Sequence, residues 1–116
     1  MPSEAPAGMS LPPLGRYRGL VTVYVIAQLT IHDHDRYQRY VDAFMPILIK
    51  HGGRLLAAEE HPEVTEGRWD GDKVVLMAFP DHETFTAWVT SPEYQEISKD
   101  RLAAAETTGI LVRGLA

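Results

Sequence analysis

VTVYVIAQLTI, residues Val21 to Ile31, is the stretch on which the fold turns. It is rich in β-branched residues, and its odd positions Val21, Val23, Val25, Ala27, Leu29 and Ile31 are all apolar. A period of two sustained over this length predicts a strand with one face on a core. The even positions, Thr22, Tyr24, Ile26, Gln28, Thr30 and His32, are mixed, so the opposite face meets something semi-polar.

The period then changes. Asp33 has the chemistry of an N-cap and Asp35 suits the first turn of a helix dipole. Tyr37, Tyr40, Val41, Phe44 and Leu48 follow at helical spacing to about Lys50, where Gly52 and Gly53 end the helix. Pro46 cannot donate to the Asp42 carbonyl, which predicts a kink or a short final turn. Arg54 to Glu59 reads as a short strand, and Val74 to Phe79, an unbroken apolar run, as a strand covered on both faces. Between them lies the acidic stretch Glu59 to Asp72, broken by Pro62, Gly67 and Gly71.

Asp81 caps a second helix carrying Phe85, Trp88 and Val89, and Ser91-Pro92 restarts it. The restarted segment sets Tyr94, Ile97, Arg101 and Ala105 along one side, and Thr107 to Leu115 is the last strand. The order β-α-β-β-α-β with a broken second helix predicts an α+β, ferredoxin-like sandwich. Its antiparallel four-stranded sheet has order 4-1-3-2, with the helices on one face and the odd residues of the first strand beneath them. The other face, fed by Val74, Leu76 and Ala78, also needs cover. A homodimer closing two such faces into a barrel supplies it.

Outward from this core, residues 1–20 hold four prolines and three glycines without a hydrophobic period, a Pro/Gly-rich tail. Leu11, Leu14 and Tyr17 are the residues that would pin it to a neighbouring surface. Residues 21–116 form one domain, as a chain of 116 residues and 13.0 kDa requires. Sixteen acidic against eleven basic residues give a net charge of -5 with no basic patch, which disfavours nucleic acid as a partner. No apolar stretch approaches the roughly 20 residues of a membrane span. With no cysteine, disulfides, thiolate nucleophiles and Cys-type metal sites are excluded, and a reducing cytoplasm is the expected address.

Few residues invite chemistry. His32-Asp33-His34-Asp35 resembles a metal cluster, but it spans a strand-to-helix junction where Asp33 is needed as a cap, so no metal is expected. His51, His61 and His82 are scattered, and His51 at a helix C-terminus suits capping. No nucleotide loop, dinucleotide fingerprint or serine-hydrolase elbow is present, and no cofactor is expected. Glu59, Glu60, Glu63 and Glu66 read as a solvated loop. Within it Trp69, in the turn Glu66-Gly67-Arg68-Trp69, must either anchor the loop or face a ligand. Tyr94 and Arg101, seven apart on one helical face, form a hydroxyl and guanidinium pair suited to a carboxylate or enolate oxygen. The alternative is a packed tyrosine and an arginine paired with Glu96 or Glu106.

Gly52-Gly53-Arg54, Glu66-Gly67 with Trp69, Phe79-Pro80, Trp88, Ser91-Pro92-Glu93-Tyr94-Gln95, Arg101 and Gly114 recur in an order that resembles the family called domain of unknown function 1330. The resemblance runs from about Val23 to Leu115. It implies a small α+β protein of the dimeric α/β-barrel superfamily, which also holds cofactor-free antibiotic-biosynthesis monooxygenases, muconolactone isomerase and chlorite dismutase. The chain departs from the family at Ala57-Ala58-Glu59-Glu60-His61, where an Arg-Gly-Gly-like turn is common, and at His34, where a proline usually follows the capping aspartate.

Two functional classes follow: a cofactor-independent enzyme acting on a small carbonyl-bearing, aromatic or anionic molecule, and a ligand-binding or structural dimer without turnover. The expected ligand-binding residues are Arg54, Glu66, Trp69, Tyr94 and Arg101, with Glu66 or His51 as proton acceptor. They share one end of the sheet if the loop after the second strand approaches the restarted helix.

Overall fold

The computed structural model describes residues 21–116. The reading of residues 1–20 as a tail lies outside them. β1 (Val23–Ile31) is followed by α1 (His34–Lys50), β2 (Arg54–Glu60), β3 (Lys73–Phe79), α2 (His82–Val89), α3 (Pro92–Ala104) and β4 (Ala105–Arg113). The strands form one antiparallel sheet in the order β2-β3-β1-β4, the expected 4-1-3-2 read from the other edge. This is the ferredoxin-like arrangement.

The alternation in β1 fixes the register. Val23, Val25, Leu29 and Ile31 are buried against Tyr37, Tyr40, Phe44 and Leu48 of α1 and Trp88 of α2, as the odd-residue pattern predicts. Each fully buried side chain among these, Leu29, Leu48 and Val23, contributes about 1.5–3 kcal/mol by leaving water. Antiparallel pairing carries the same face across the sheet, to Met77 opposite Val25 and Phe79 opposite Val23. The opposite face holds Ile26, Leu76 and Ile110 in one cross-strand row. Ile110 and Val112 there are 54% and 39% exposed.

Local chemistry ends each helix where the sequence signals it. Asp33 accepts from the Arg36 amide at 3.0 Å, Asp81 from Thr84 at 2.7 Å and Ser91 from Tyr94 at 3.1 Å. At the end of α1 the Gly53 amide bonds the Leu48 carbonyl and the Gly52 amide that of Ile49, with Gly52 at φ +82°. A left-handed residue at that point favours glycine. Gly53 is needed for a different reason: a Cβ there would lie 2.4 Å from Leu48 Cδ1 and 2.6 Å from Phe79 Cε2.

α1 runs through Pro46 and ends at Lys50, as the sequence predicts. Pro46 and Asp42 are both exposed, so water can satisfy the carbonyl that the proline leaves without a donor. β4 begins at Ala105, two residues before the expected start, and ends at Arg113. α3 therefore passes into β4 without a loop, and Ala105 is a strand residue instead of part of the helical face; the Ala104 carbonyl at the junction accepts from the amides of His32 and Asp33. β1 begins at Val23, two residues after the apolar pattern does. No helix among the described residues is long and apolar enough to cross a membrane.

Candidate functional site

Between the helices and the sheet lies a cavity of about 480 Å³, within the usual range for small-molecule sites. Its floor follows from register. One cross-strand row on the helix face reads Glu60, Lys73, Leu29, Thr107; the next reads Ala58, Val75, Ala27, Gly109; the third reads Leu55, Met77, Val25, Leu111. All but Glu60 line the cavity. The middle row carries three of the smallest side chains, so the helices above cannot close onto it. Rows two residues apart are about 6.7 Å from each other, which makes the floor about 13 Å long.

The roof is aromatic. Tyr37, Tyr40 and Phe44 from α1, Phe85 and Trp88 from α2 and Tyr94 from α3 face the space. Helical spacing brings Tyr37, Tyr40 and Phe44 into a column with centroids 5.7 and 5.5 Å apart. Trp88 packs 4.1 Å from Tyr94 and 6.0 Å from Phe44, perpendicular to the latter. Its buried indole Nε1 has no hydrogen-bond partner. The Tyr40 and Tyr94 hydroxyls bond each other at 2.8 Å.

One end of the cavity is cationic. Lys73 Nζ lies 4.8 Å from the centre of the Tyr37 ring, and the Arg101 guanidinium 5.8 Å from that of Tyr40. Arg101 also donates to Thr107 Oγ1 at 3.1 Å. Neither Glu96 nor Glu106 pairs with it, since Glu96 is held by Lys99. Burial lowers the Lys73 ammonium below the usual lysine range, against the opposing pull of the Glu60 carboxylate. Burial pushes the Tyr37 phenol up to about 12 and that of Tyr40 further, so both stay protonated at neutral pH.

Of the residues singled out from sequence, the structure brings Tyr94 and Arg101 to this cavity. It does not bring the others there. Arg54 is exposed at the far end of β2, paired with Ala78 and on the face away from the helices. Glu66 and Trp69 stand on the exposed loop between β2 and β3, Trp69 at 36% exposure. Asp72 ties down the end of that loop: its amide donates to the Leu29 carbonyl at 2.7 Å and its carboxylate accepts from the Ile31 amide at 3.1 Å. His51 ends α1, with Nδ1 2.9 Å from the Ile47 carbonyl oxygen. Lys73, Tyr37, Tyr40 and Thr107 also line the cavity and were not singled out from sequence as binding residues. Tyr37 and Tyr40 were visible only as core positions, and Lys73 only as the polar residue before an apolar run. Among the described residues no three His, Asp or Glu side chains gather as a metal site.

The family described as "Domain of unknown function (DUF1330)" matches residues 22–115. The chain belongs to that family. This DUF1330 chain matches no curated protein. Among solved structures, a protein of unknown function from Rhodopseudomonas palustris aligns with TM-score 0.73 at 17% identity, covering 91% of this chain and 97% of the other. SnoaB, a cofactor-independent oxygenase from Streptomyces nogalater, aligns with TM-score 0.63 at 13% identity over 81% and 93% of the two chains. A ferredoxin-like protein of unknown function from Thermobifida fusca, described as dimeric, aligns with TM-score 0.57 at 13% identity over 81% and 92%. Likeness at these identities is likeness of fold.

Proposed function

We propose that this DUF1330 protein binds a small, largely apolar organic molecule in the cavity between its helices and sheet, as a homodimer. The row Ala58, Val75, Ala27, Gly109 carries the reading. A helix-on-sheet core is normally closed by interdigitating side chains, and here the floor is kept low beneath an aromatic roof. Tyr94 and Arg101 are the ligand-binding residues retained from the sequence. The second copy covers the helix-free face at Ile26, Leu76, Ile110 and Val112, where apolar side chains have no described element above them. The dimeric T. fusca protein of the same fold supports that assembly.

Turnover is the second reading, favoured by the Tyr94 hydroxyl and the Arg101 guanidinium sharing one cavity, a pair suited to a carbonyl or enolate oxygen. The S. nogalater oxygenase has the same fold. Binding is the first question. A thermal-shift screen of small aromatic and aliphatic molecules, run on the parent and on Gly109→Val, tests it. A Cβ on Gly109 meets nothing closer than the Ile26 carbonyl oxygen at 4.0 Å, so a side chain can start from that position on the cavity floor. A ligand at 100 times its dissociation constant adds about 2.7 kcal/mol to the parent. The same ligands should lose their effect on Gly109→Val; equal stabilisation of both proteins would place the binding site elsewhere.

A further inference from the structure

We infer that the ligand is an amphipathic organic acid, its carboxylate held between Lys73 and Arg101 and its apolar body lying along the floor toward Met77 and Trp88. This rests on the cavity being a binding site and adds the chemistry and direction of what it binds. Charge pairing carries the inference. Among the described residues three cationic side chains are half-buried: Arg36, Lys73 and Arg101. Arg36 is paired with Asp100 at 2.8 Å, whereas Lys73 and Arg101 have no carboxylate of the described residues within 4.0 Å. Both line the cavity, whose described lining contains no Asp or Glu. Glu60, the exposed cross-strand neighbour of Lys73, stands outside that lining, so two half-buried cations face one space whose described lining supplies no anion, a cost that a bound carboxylate lowers.

Register places them together. Lys73 and Thr107 both pair with Leu29 from opposite sides, and Arg101 donates to Thr107, so the two cations bracket the first row of the floor. Strands about 4.8 Å apart set the two pairing positions roughly 10 Å from each other, a gap that inward-reaching lysine and arginine side chains can narrow around one carboxylate. Beyond this row the lining is apolar or aromatic for the remaining two rows. A simple anion would therefore satisfy one third of the site, and a neutral hydrocarbon the other two thirds.

Isothermal titration calorimetry on the full chain separates these contributions, using 2-naphthoic acid and decanoic acid, their neutral amides, and acetate and phosphate as anions without a body. The acids should bind at least tenfold more tightly than their amides, and acetate and phosphate at least a hundredfold more weakly than the acids. Lys73→Met and Arg101→Met should each reduce acid affinity fivefold or more and leave amide affinity within twofold. Amides that equal the acids would overturn the anion assignment while leaving the cavity as the binding site. Acetate or phosphate binding as tightly as naphthoate would overturn the amphipathic assignment. If neither acid nor amide binds, the binding function falls and this inference falls with it. The comparison on the unmodified protein decides the matter even if a variant fails to fold.

Discussion

The hydrogen bond between the Tyr40 and Tyr94 hydroxyls joins α1 to α3 within the roof of the cavity, and its loss has a calculable shape. Both tyrosines are almost wholly buried, at 6% and 5% exposure, with the oxygens 2.8 Å apart and the rings edge to face at 6.2 Å. Tyr40→Phe or Tyr94→Phe keeps the ring and its packing but leaves the other hydroxyl buried without its partner. An orphaned group of this kind costs about 1–3 kcal/mol, so each single variant should lose about 2 kcal/mol. The double variant removes both polar atoms and should stay within about 1 kcal/mol of the parent. The two substitutions therefore couple, the double variant being more stable than independent effects allow. Urea unfolding followed by circular dichroism at one fixed protein concentration measures the cycle, with an unchanged m-value showing that only stability moved. In thermal unfolding each single should lower Tm by about 10 °C, at about 4–8 °C per kcal/mol for a domain of this size. Additive costs, or singles below about 0.5 kcal/mol, would show that the two hydroxyls do not depend on each other.

The same burial predicts alkaline sensitivity. The folded pKa values of Tyr37 and Tyr40 lie above the unfolded value of 10, so the folded chain keeps protons that the unfolded chain releases. Stability should hold below pH 10 and fall above it, by up to about 1.4 kcal/mol per pH unit for each tyrosine. For Tyr37 the fall levels off near pH 12; a stability curve flat from pH 9 to 11.5 would contradict this. Gly53→Ala should cost about 1–3 kcal/mol in urea unfolding, because its methyl would overlap Leu48 and Phe79; a neutral result would mean that this corner yields. Lys73→Met should hold or raise Tm at pH 7, since it retains the aliphatic stem and removes a charge that burial disfavours. A drop of more than about 5 °C would make Lys73 a structural residue.

The sheet and helices were legible because their signals are local. The alternation of β1, the caps Asp33, Asp81 and Ser91, and the Gly52-Gly53 stop each act within a few residues, and each appears in the structure where the sequence indicates. The α3–β4 junction was not, because Ala103, Ala104 and Ala105 contain no turn residue and a helix that ends directly in a strand leaves no punctuation. Tyr94 and Arg101 were found from helical spacing. Lys73 and Thr107 lie 34 positions apart and meet Arg101 only through the pairing of β3 and β4 with β1, a juxtaposition that no spacing rule reports. The turn sequence lets Trp69 either anchor the loop or face a ligand, and in the described chain it sits on the exposed side of a loop fastened by Asp72.

The small residues of the middle row have a consequence for how proteins built this way diverge. Ala58, Ala27 and Gly109 belong to three different strands, and enlarging any of them changes the depth of the floor without altering a cap, a turn or a cross-strand hydrogen bond. Ligand length and thickness can thus drift by single substitutions while the cationic end stays in place. Such changes fill space and, at Gly109, exchange a residue that weakens strands for one that favours them. Variation in selectivity would then come with a gain in stability, and an open floor would persist only where selection for an occupant maintains it.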